Sequence, residues 1–205
     1  MHDWVEFAKQ LRSIAQTGQT YTQNKYELER YRQLETLTNQ MFATLADVPI
    51  EKVEAFIIPD RGYATPKVDV RGAVFREGKI LLVKEMSDGR WTLPGGWADV
   101  CESPSLGVLR EIEEESGFTA KNPRLVMLKD RSLHPYRPVT PDHIYKLFYL
   151  CDYVGGGFVE NIETEAADFF ALDDLPELSL GRTLAEDIEQ CWAFATGDIT
   201  TVYSD

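Results

Sequence analysis

Residues 96–118 read GWADVCESPSLGVLREIEEESGF, and the rest of the chain is interpreted outward from them. Leu93-Pro94-Gly95-Gly96 leads into the stretch and Gly117 closes its helical part. Ser103-Pro104 is a helix start: a capping hydroxyl, then a proline whose fixed φ and missing N–H suit the first helical position. The spacing predicts a helix over 104–116, about three turns long. At ~100° per residue Leu106, Leu109, Ile112 and Ser116 share one side. Glu111, Glu114 and Glu115 fall within an arc of roughly 100° almost opposite. Carboxylates that close repel one another by about 1 kcal/mol or more per pair. Such a face is either solvated or built around a cation.

The flanking spacing separates the two. Glu102 stands six residues after Gly96 and Arg110 eight after Glu102, followed by Arg110-Glu111-Ile112-Glu113-Glu114-Glu115-Ser116-Gly117-Phe118. Every position of G-x5-E-x7-R-E-U-x-E-E-x-G-U is met, where U is bulky and apolar. This pattern is the Nudix box, and the chain resembles a Nudix hydrolase. All-oxygen ligands select hard cations, so Mg²⁺ or Mn²⁺ is expected rather than Zn²⁺. Such an ion can bridge phosphate oxygens and acidify a bound water. Arg110 and Glu114 are i, i+4 on the helix, so the guanidinium can hold one carboxylate in place. The resemblance implies that Glu111, Glu114 and Glu115 are metal ligands, joined by the backbone carbonyl of Gly95 or Gly96. It also implies that Glu102 is an accessory carboxylate of the metal site. Members of the family differ in which glutamate is the base, and Glu111 is favoured here.

The chain has 205 residues, room for one full domain and a small appendage. With 43% hydrophobic and 27% charged residues it reads as a globular protein. The net charge of −13 argues against a dedicated binder of duplex nucleic acid, which needs a basic surface. Cys101, Cys151 and Cys191 are odd in number and far apart, and no zinc spacing occurs. The expected setting is a reducing cytoplasm. No apolar run is long enough to cross a bilayer, so no membrane is expected as a partner.

Before the box, residues 3–16 read as an amphipathic helix with Trp4, Phe7, Leu11 and Ile14 on a stripe. Thr17–Asn24 reads as a break around Gly18, and 25–46 as a second helix with Leu34, Leu37, Met41 and Leu45 aligned. A hairpin of this size cannot bury both stripes alone. A boundary is expected at 64/65, with 1–64 a helical hairpin and linker that dimerises and 65–205 the Nudix domain. An apolar run at 55–58 and a turn at 59–62 fill the linker. From Lys67 the pattern becomes strands: 67–75, 79–84, 91–93, then after the box 124–129, 143–152 and 169–172. Gly155-Gly156-Gly157 reads as a flexible turn, and 182–196 as a last helix with Leu184, Ile188, Cys191 and Trp192 inward. The fold class is α/β, and the resemblance implies an α/β/α sandwich with a mixed sheet.

Lys121, Arg124, Lys129, Arg131 and Arg137 crowd one segment, and Glu160, Glu163, Glu165, Asp168, Asp173, Asp174 and Glu177 another. Either group can be a solvated face. On the functional reading Lys129, Arg131 and Arg137 grip phosphates and Glu163 or Glu165 adds a carboxylate to the metal site. In similar enzymes a glutamate in a late loop often serves as ligand or base. Trp97, next to the box glycine, either stacks on a base or walls the cleft. Trp91 and Tyr136 could join it in stacking a base or caging a choline cation. His134 reads as a structural or surface histidine. The hairpin followed by the box resembles the subgroup of ADP-ribose and CDP-choline pyrophosphatases. The resemblance implies cleavage of a nucleoside diphosphate linked to X, with a slight lean to CDP-choline because an acidic surface favours a cationic X. The competing readings are a metal-dependent exonuclease on RNA ends, a nucleoside triphosphate pyrophosphatase, and a non-catalytic nucleotide-binding regulator.

Overall fold

The computed structural model describes residues 2–56 and 62–205. The linker features expected at 55–62 lie largely outside them. The backbone divides into two compact units, Met1–Pro66 with Thr140–His143, and Lys67–Val139 with Ile144–Asp205.

The first unit is helical: α1 (His2–Tyr21), α2 (Lys25–Ala46) and α3 (Ile50–Phe56). Asn24 caps α2, its side chain accepting from the N–H groups of Tyr26 and Glu27. The break expected around Gly18 is not there, and α1 runs on to Tyr21. A Cβ on Gly18 would come within 2.3 Å of the Tyr31 ring, so this glycine lets α2 approach rather than ending α1. The small core holds Ala8, Phe42, Ala43 and Val53. Much of the expected apolar stripe lies outside it: Trp4, Phe7, Ile14 and Leu37 are each about half exposed or more.

The second unit is a mixed seven-stranded sheet between two helices. Its strands are β1 (Lys67–Arg76), β2 (Lys79–Glu85), β3 (Trp91–Thr92), β4 (Phe118–Asp130), β5 (Ile144–Gly156), β6 (Thr164–Ala171) and β7 (Tyr203–Ser204). The order is β3-β2-β1-β5-β4-β7, with β6 paired to β2. β1 and β5 run parallel at the centre, and β2 and β4 flank them antiparallel. α4 (Pro104–Ser116) covers one face through Val108 and Ile112 on Val70, Val74 and Leu81. α5 (Ala185–Thr196) covers the other through Ile188 and Cys191 on Ala73, Ile80 and Phe148. Strands buried on both faces read as continuous apolar runs, as Ile80–Val83 does. Among the described residues no helix is long and apolar enough to cross a membrane.

Two expectations about α4 and its surroundings need correction. The inward face of α4 is Val108, Ile112, Glu115 and Ser116, whereas Leu106 is exposed. Glu115 therefore belongs to the buried side, away from Glu114. The glycine run at 155–157 is no loose turn: Gly155 and Gly156 extend β5 opposite Thr119 and Phe118. A Cβ on Gly156 would lie 2.4 Å from the Gly117 carbonyl oxygen, and one on Gly117 would lie 2.3 Å from that of Gly157. Backbone meets backbone here, and only glycine permits it.

Gly117 and Gly197 close α4 and α5 in the same left-handed conformation, at φ 69° and 85°. Around Gly197 a Cβ would meet nothing within 4 Å. Gly197→Ala is expected to cost about 1 kcal/mol, and Gly117→Ala about 2 kcal/mol or more because overpacking adds to the strain. Urea unfolding of both variants tests this, and equal losses would remove the packing argument.

Candidate active site

The box loop lies along β1 almost as another strand. Val70 N–H donates to Gly96 O at 2.8 Å, Gly72 N–H to Pro94 O at 2.9 Å, and Ala98 N–H to Val68 O at 2.9 Å. Gly95 has φ 140°, and a Cβ there would fall 2.0 Å from Val70 O. Only glycine fits this crossing, and its N–H turns to α4, donating to Glu115 Oε2 at 2.8 Å. The next glycine faces the neighbouring glutamate: a Cβ on Gly96 would sit 3.2 Å from Glu111 Oε2. Two glycines thus open a cradle over the carboxylates of Glu111 and Glu115.

Burial pushes the Glu115 carboxyl up to about 8, and the charges of Glu85 and Glu111 add to it, against the pull of Arg71 and the Gly95 N–H. Burial also raises Glu111, opposed by Arg110 and Arg71. Glu114 is exposed and 2.7 Å from Arg110 Nη1. The same Nη1 reaches Glu111 Oε1 at 2.9 Å, while Nη2 reaches Glu102 Oε2 and Asp99 Oδ2, each at 3.1 Å. Arg110 is accordingly held firmly protonated, chiefly by its hydrogen bonds to Glu102 and Glu114.

Among the described residues no three acidic, histidine or cysteine side chains stand together as a finished metal cage. Arg110 bridges Glu102, Glu111 and Glu114, while Glu115 lies on the buried side of α4 at the Gly95 N–H. In kind, the site fits a hard divalent cation. The donors are all oxygen, the Gly95–Gly96 cradle leaves room beside Glu111, and Glu115 is a desolvated carboxyl that nearby positive charge would stabilise as its anion.

Two charged residues that the sequence reading passed over belong here. Arg71 on β1 is buried, with Nε 2.9 Å from Asp69 Oδ1 and Nη1 donating to Leu93 O at 3.1 Å. Its charge acts on Glu85, Glu111 and Glu115 alike. Glu85, at the end of β2, is buried with Arg182 Nε at 3.0 Å. Their signal was a charged side chain within strands otherwise buried on both faces.

The remaining predicted residues divide. Trp97 is exposed beside the cradle, its backbone bridged to Asp69. Glu163 is exposed in the loop before β6, and its charge reaches Glu85. Glu165 pairs with Lys84 at 2.7 Å on the surface, within a β-bulge. The basic segment is no single face. Arg124 is bound to Asp152 at 2.8 Å. Lys129 points inward, almost wholly buried, and its Nζ is 2.7 Å from Asp187 Oδ1. Tyr136 is buried too, its hydroxyl donating to Asp187 Oδ2 at 2.8 Å. Arg131 is buried and donates to Pro138 O at 2.7 Å. Arg137 alone of the three expected phosphate ligands is exposed. Lys129, turned inward by the alternation of β4, and Tyr136, from the loop after it, meet Asp187 of α5, while Arg131 just past the strand holds loop carbonyls, so all three are scaffold in this structure. His134 binds Asp205 at 3.1 Å, in keeping with a structural histidine.

Residues 65–189 match the family described as the NUDIX domain, and residues 2–57 match a UDP-X-like, N-terminal oligomerisation domain. The Bacillus subtilis protein YjhB, described as a candidate ADP-ribose pyrophosphatase, is 40% identical over 191 residues, 93% of this chain and 91% of its own. A crystal structure of a UDP-X diphosphatase is 35% identical with a TM-score of 0.64, covering 99% of this chain and 98% of that one. That of an ADP-ribose pyrophosphatase from Streptococcus suis is 39% identical with a TM-score of 0.60, covering 69% of this chain and 100% of that one.

The raised Glu115 carboxyl has a measurable consequence in the metal-free protein. Between the ordinary 4.5 and about 8, the folded state keeps a proton that the unfolded chain has released. The folded state then binds more protons, so this group's contribution makes stability fall as pH rises through that window. Glu115→Gln is expected to remove the slope and to be the more stable protein at about pH 8 in chelator. Parallel denaturation profiles for the two proteins from about pH 5 to 8 would count against a desolvated Glu115.

Proposed function

The chain belongs to the Nudix hydrolase family, and on that premise we propose that it cleaves the pyrophosphate bond of a nucleoside diphosphate linked to a group X. The products are a nucleoside monophosphate and phosphorylated X. The observation that carries this reading is the pair of box carboxylates at the Gly95–Gly96 cradle, Glu115 bound to the Gly95 N–H and Glu111 beside Gly96. ADP-ribose is the first substrate to test, since relatives along most of the chain bear that activity in their names. The lean to CDP-choline loses support. Tyr136 is buried on Asp187, and Trp91 stacks edge-on against Phe170 at 4.6 Å. Trp97 is the exposed ring left beside the cradle.

Nudix enzymes generally use divalent metal cations. Here Mg²⁺, replaceable by Mn²⁺, would be held by Glu111, Glu114 and Glu115, with the Gly95 carbonyl and Glu102 adjoining. A hard cation there supplies positive charge to the pyrophosphate oxygens and lowers the pKa of water. Glu111, beside Gly96 and half-buried, takes the proton of the attacking water; burial raises its carboxyl above the ordinary value. Arg110 orients Glu102 through Nε and Nη2 and Glu114 through Nη1. Arg137, exposed, balances phosphate charge. Glu163 is the later carboxylate facing this side, and Glu165 contributes less because Lys84 holds it. Trp97 offers a face to the base. An RNA end is less favoured, because a strand needs a basic track and Arg124 and Lys129 are already neutralised by Asp152 and Asp187.

A second copy is the proposed partner of the helical unit, whose α1–α2 groove of about 540 Å³ is lined by Trp4, Leu11, Leu34, Leu37, Met41 and Leu45. An N-terminal oligomerisation domain is what these residues match. The three cysteines are unpaired, which suits a reducing cytoplasm.

With Mg²⁺, the protein is expected to convert ADP-ribose and water to AMP and ribose 5-phosphate. Glu111→Gln and Glu115→Gln should each lower kcat by at least ~10²-fold while staying folded. Chromatography of products across ADP-ribose, UDP-sugars, CDP-choline, triphosphates and short RNA decides. Fastest turnover of a triphosphate to pyrophosphate, with every conjugate untouched, would overturn the reading.

Sedimentation of the intact chain should give about twice its 23.3 kDa mass, and Leu37→Glu should shift it to monomer. A monodisperse wild-type monomer at micromolar concentration contradicts the dimer.

A further inference from the structure

The loop between β5 and β6, residues 157–163, carries Glu163 past the C-terminal end of α4. It leaves β5 in backbone contact with the helix, Gly157 N–H donating to Gly117 O at 3.2 Å. From there two side chains gather it. Asn161 Oδ1 accepts from the N–H of Glu163 at 2.9 Å and of Thr164 at 2.8 Å, an Asx turn. Its Nδ2 is shared among Glu115 O at 3.1 Å, Val159 O at 3.2 Å and Thr164 Oγ1 at 2.8 Å. The Thr164 hydroxyl also donates to Glu115 O, at 2.6 Å. The main-chain carbonyl of a box glutamate thus accepts from two loop side chains.

Glu163 is gripped on its other side as well, its carbonyl accepting from Met86 N–H at 3.0 Å. Its amide and carbonyl are both fixed, while its side chain stands exposed toward Glu85. Neither Asn161 nor Thr164 lies in the box. Their chemistry is nonetheless specific: an aspartate could form the turn but has no donor for the Glu115 carbonyl, and a valine has no hydroxyl.

We infer that Asn161 and Thr164 are positioning residues, which clasp the Glu115 carbonyl and so set the Glu163 carboxylate at a fixed place on the Glu85 side of the site, where it serves the hydrolysis. This rests on the proposed function and adds to it the pair that aligns the late-loop carboxylate with the box. Positioning matters because a displacement of about 1 Å can cost on the order of a hundredfold in rate.

The test is a double-mutant cycle between Asn161→Ala and Glu163→Gln, with kcat and KM for ADP-ribose measured in Mg²⁺. Asn161→Ala alone is expected to lower kcat roughly ten- to hundredfold with KM within about threefold. On the Glu163→Gln background it should lower kcat by less than about twofold. Thr164→Val should behave like Asn161→Ala, Thr164→Ser should recover most of the rate, and Asn161→Asp should not. Equal losses on both backgrounds, or wild-type kcat in Glu163→Gln or in Asn161→Ala, would overturn the inference. Amide hydrogen exchange of residues 157–164 is the second readout, since it needs no turnover. Asn161→Asp and Thr164→Val should each speed exchange there at least tenfold while α4 stays protected, and unchanged exchange would overturn the clasp. A wild-type protein inert toward every conjugate would sink the proposed function and the role of Glu163 in it, while exchange would still decide the clasp.

Discussion

The hydrogen bond from Gly95 N–H to Glu115 Oε2, 2.8 Å long, is the constraint around which the active unit is arranged. It requires the box loop to cross β1 closely enough that no side chain fits at residue 95. It also requires α4 to turn Glu115 inward, in line with Val108 and Ile112. A carboxylate taken out of water is costly unless it is compensated. Here a single backbone donor and the charge of Arg71 compensate only in part, and the carboxyl remains raised to about 8. The site is therefore electrostatically incomplete as it stands. The desolvated Glu115, raised further by Glu85 and Glu111, is held at some cost in stability, as perturbed carboxyls at functional sites commonly are.

A second layer of buried charge lies on the opposite face of the central strands. Lys146 is fully buried against Asp69, and burial lowers its ammonium to about 8. Burial opposes ionisation of Asp69, but Arg71 and Lys146 outweigh it and hold its carboxyl low. Lys129 and Tyr136 share the two oxygens of Asp187, whose Oδ2 also accepts from Leu184 N–H at the start of α5. Buried pairs add little net stability, yet removing one partner typically costs about 3–5 kcal/mol. They tie the two sheet faces together electrostatically, since Arg71 touches the Asp69 pair while its charge reaches the glutamates under Gly95.

The elements with a strong local signature were legible in the sequence. Ser103-Pro104 and Gly117 bound α4 at 104–116 as expected, and the alternation from Lys67 gives β1. What was not legible depends on contacts between distant residues. Gly18 looks like a helix breaker until Tyr31 is seen against it. Gly155–Gly157 looks like a flexible turn until its backbone is found on Gly117. Lys129 and Arg131 read as phosphate ligands because composition cannot say that one turns inward on β4 and the other, just past its end, is spent on loop carbonyls. Arg71, Glu85 and Asn161 carry no motif, and only the fold brings them to the box glutamates.

Electrostatics also bears on how two copies could meet. Each chain carries a net charge of −13, so association through most of its surface would bring like charges together. The helical unit differs. α1 holds Lys9 and Arg12 against Asp3 and Glu6, and α2 holds Lys25, Arg30 and Arg32 against Glu27, Glu29 and Glu35. Both helices are therefore neutral, while Trp4, Phe7, Ile14 and Leu37 remain exposed. Charge on α1 and α2 themselves would therefore add little repulsion to a contact between copies made through them. Apolar burial then sets the association energy, at roughly 25 cal/mol per Å² removed from water.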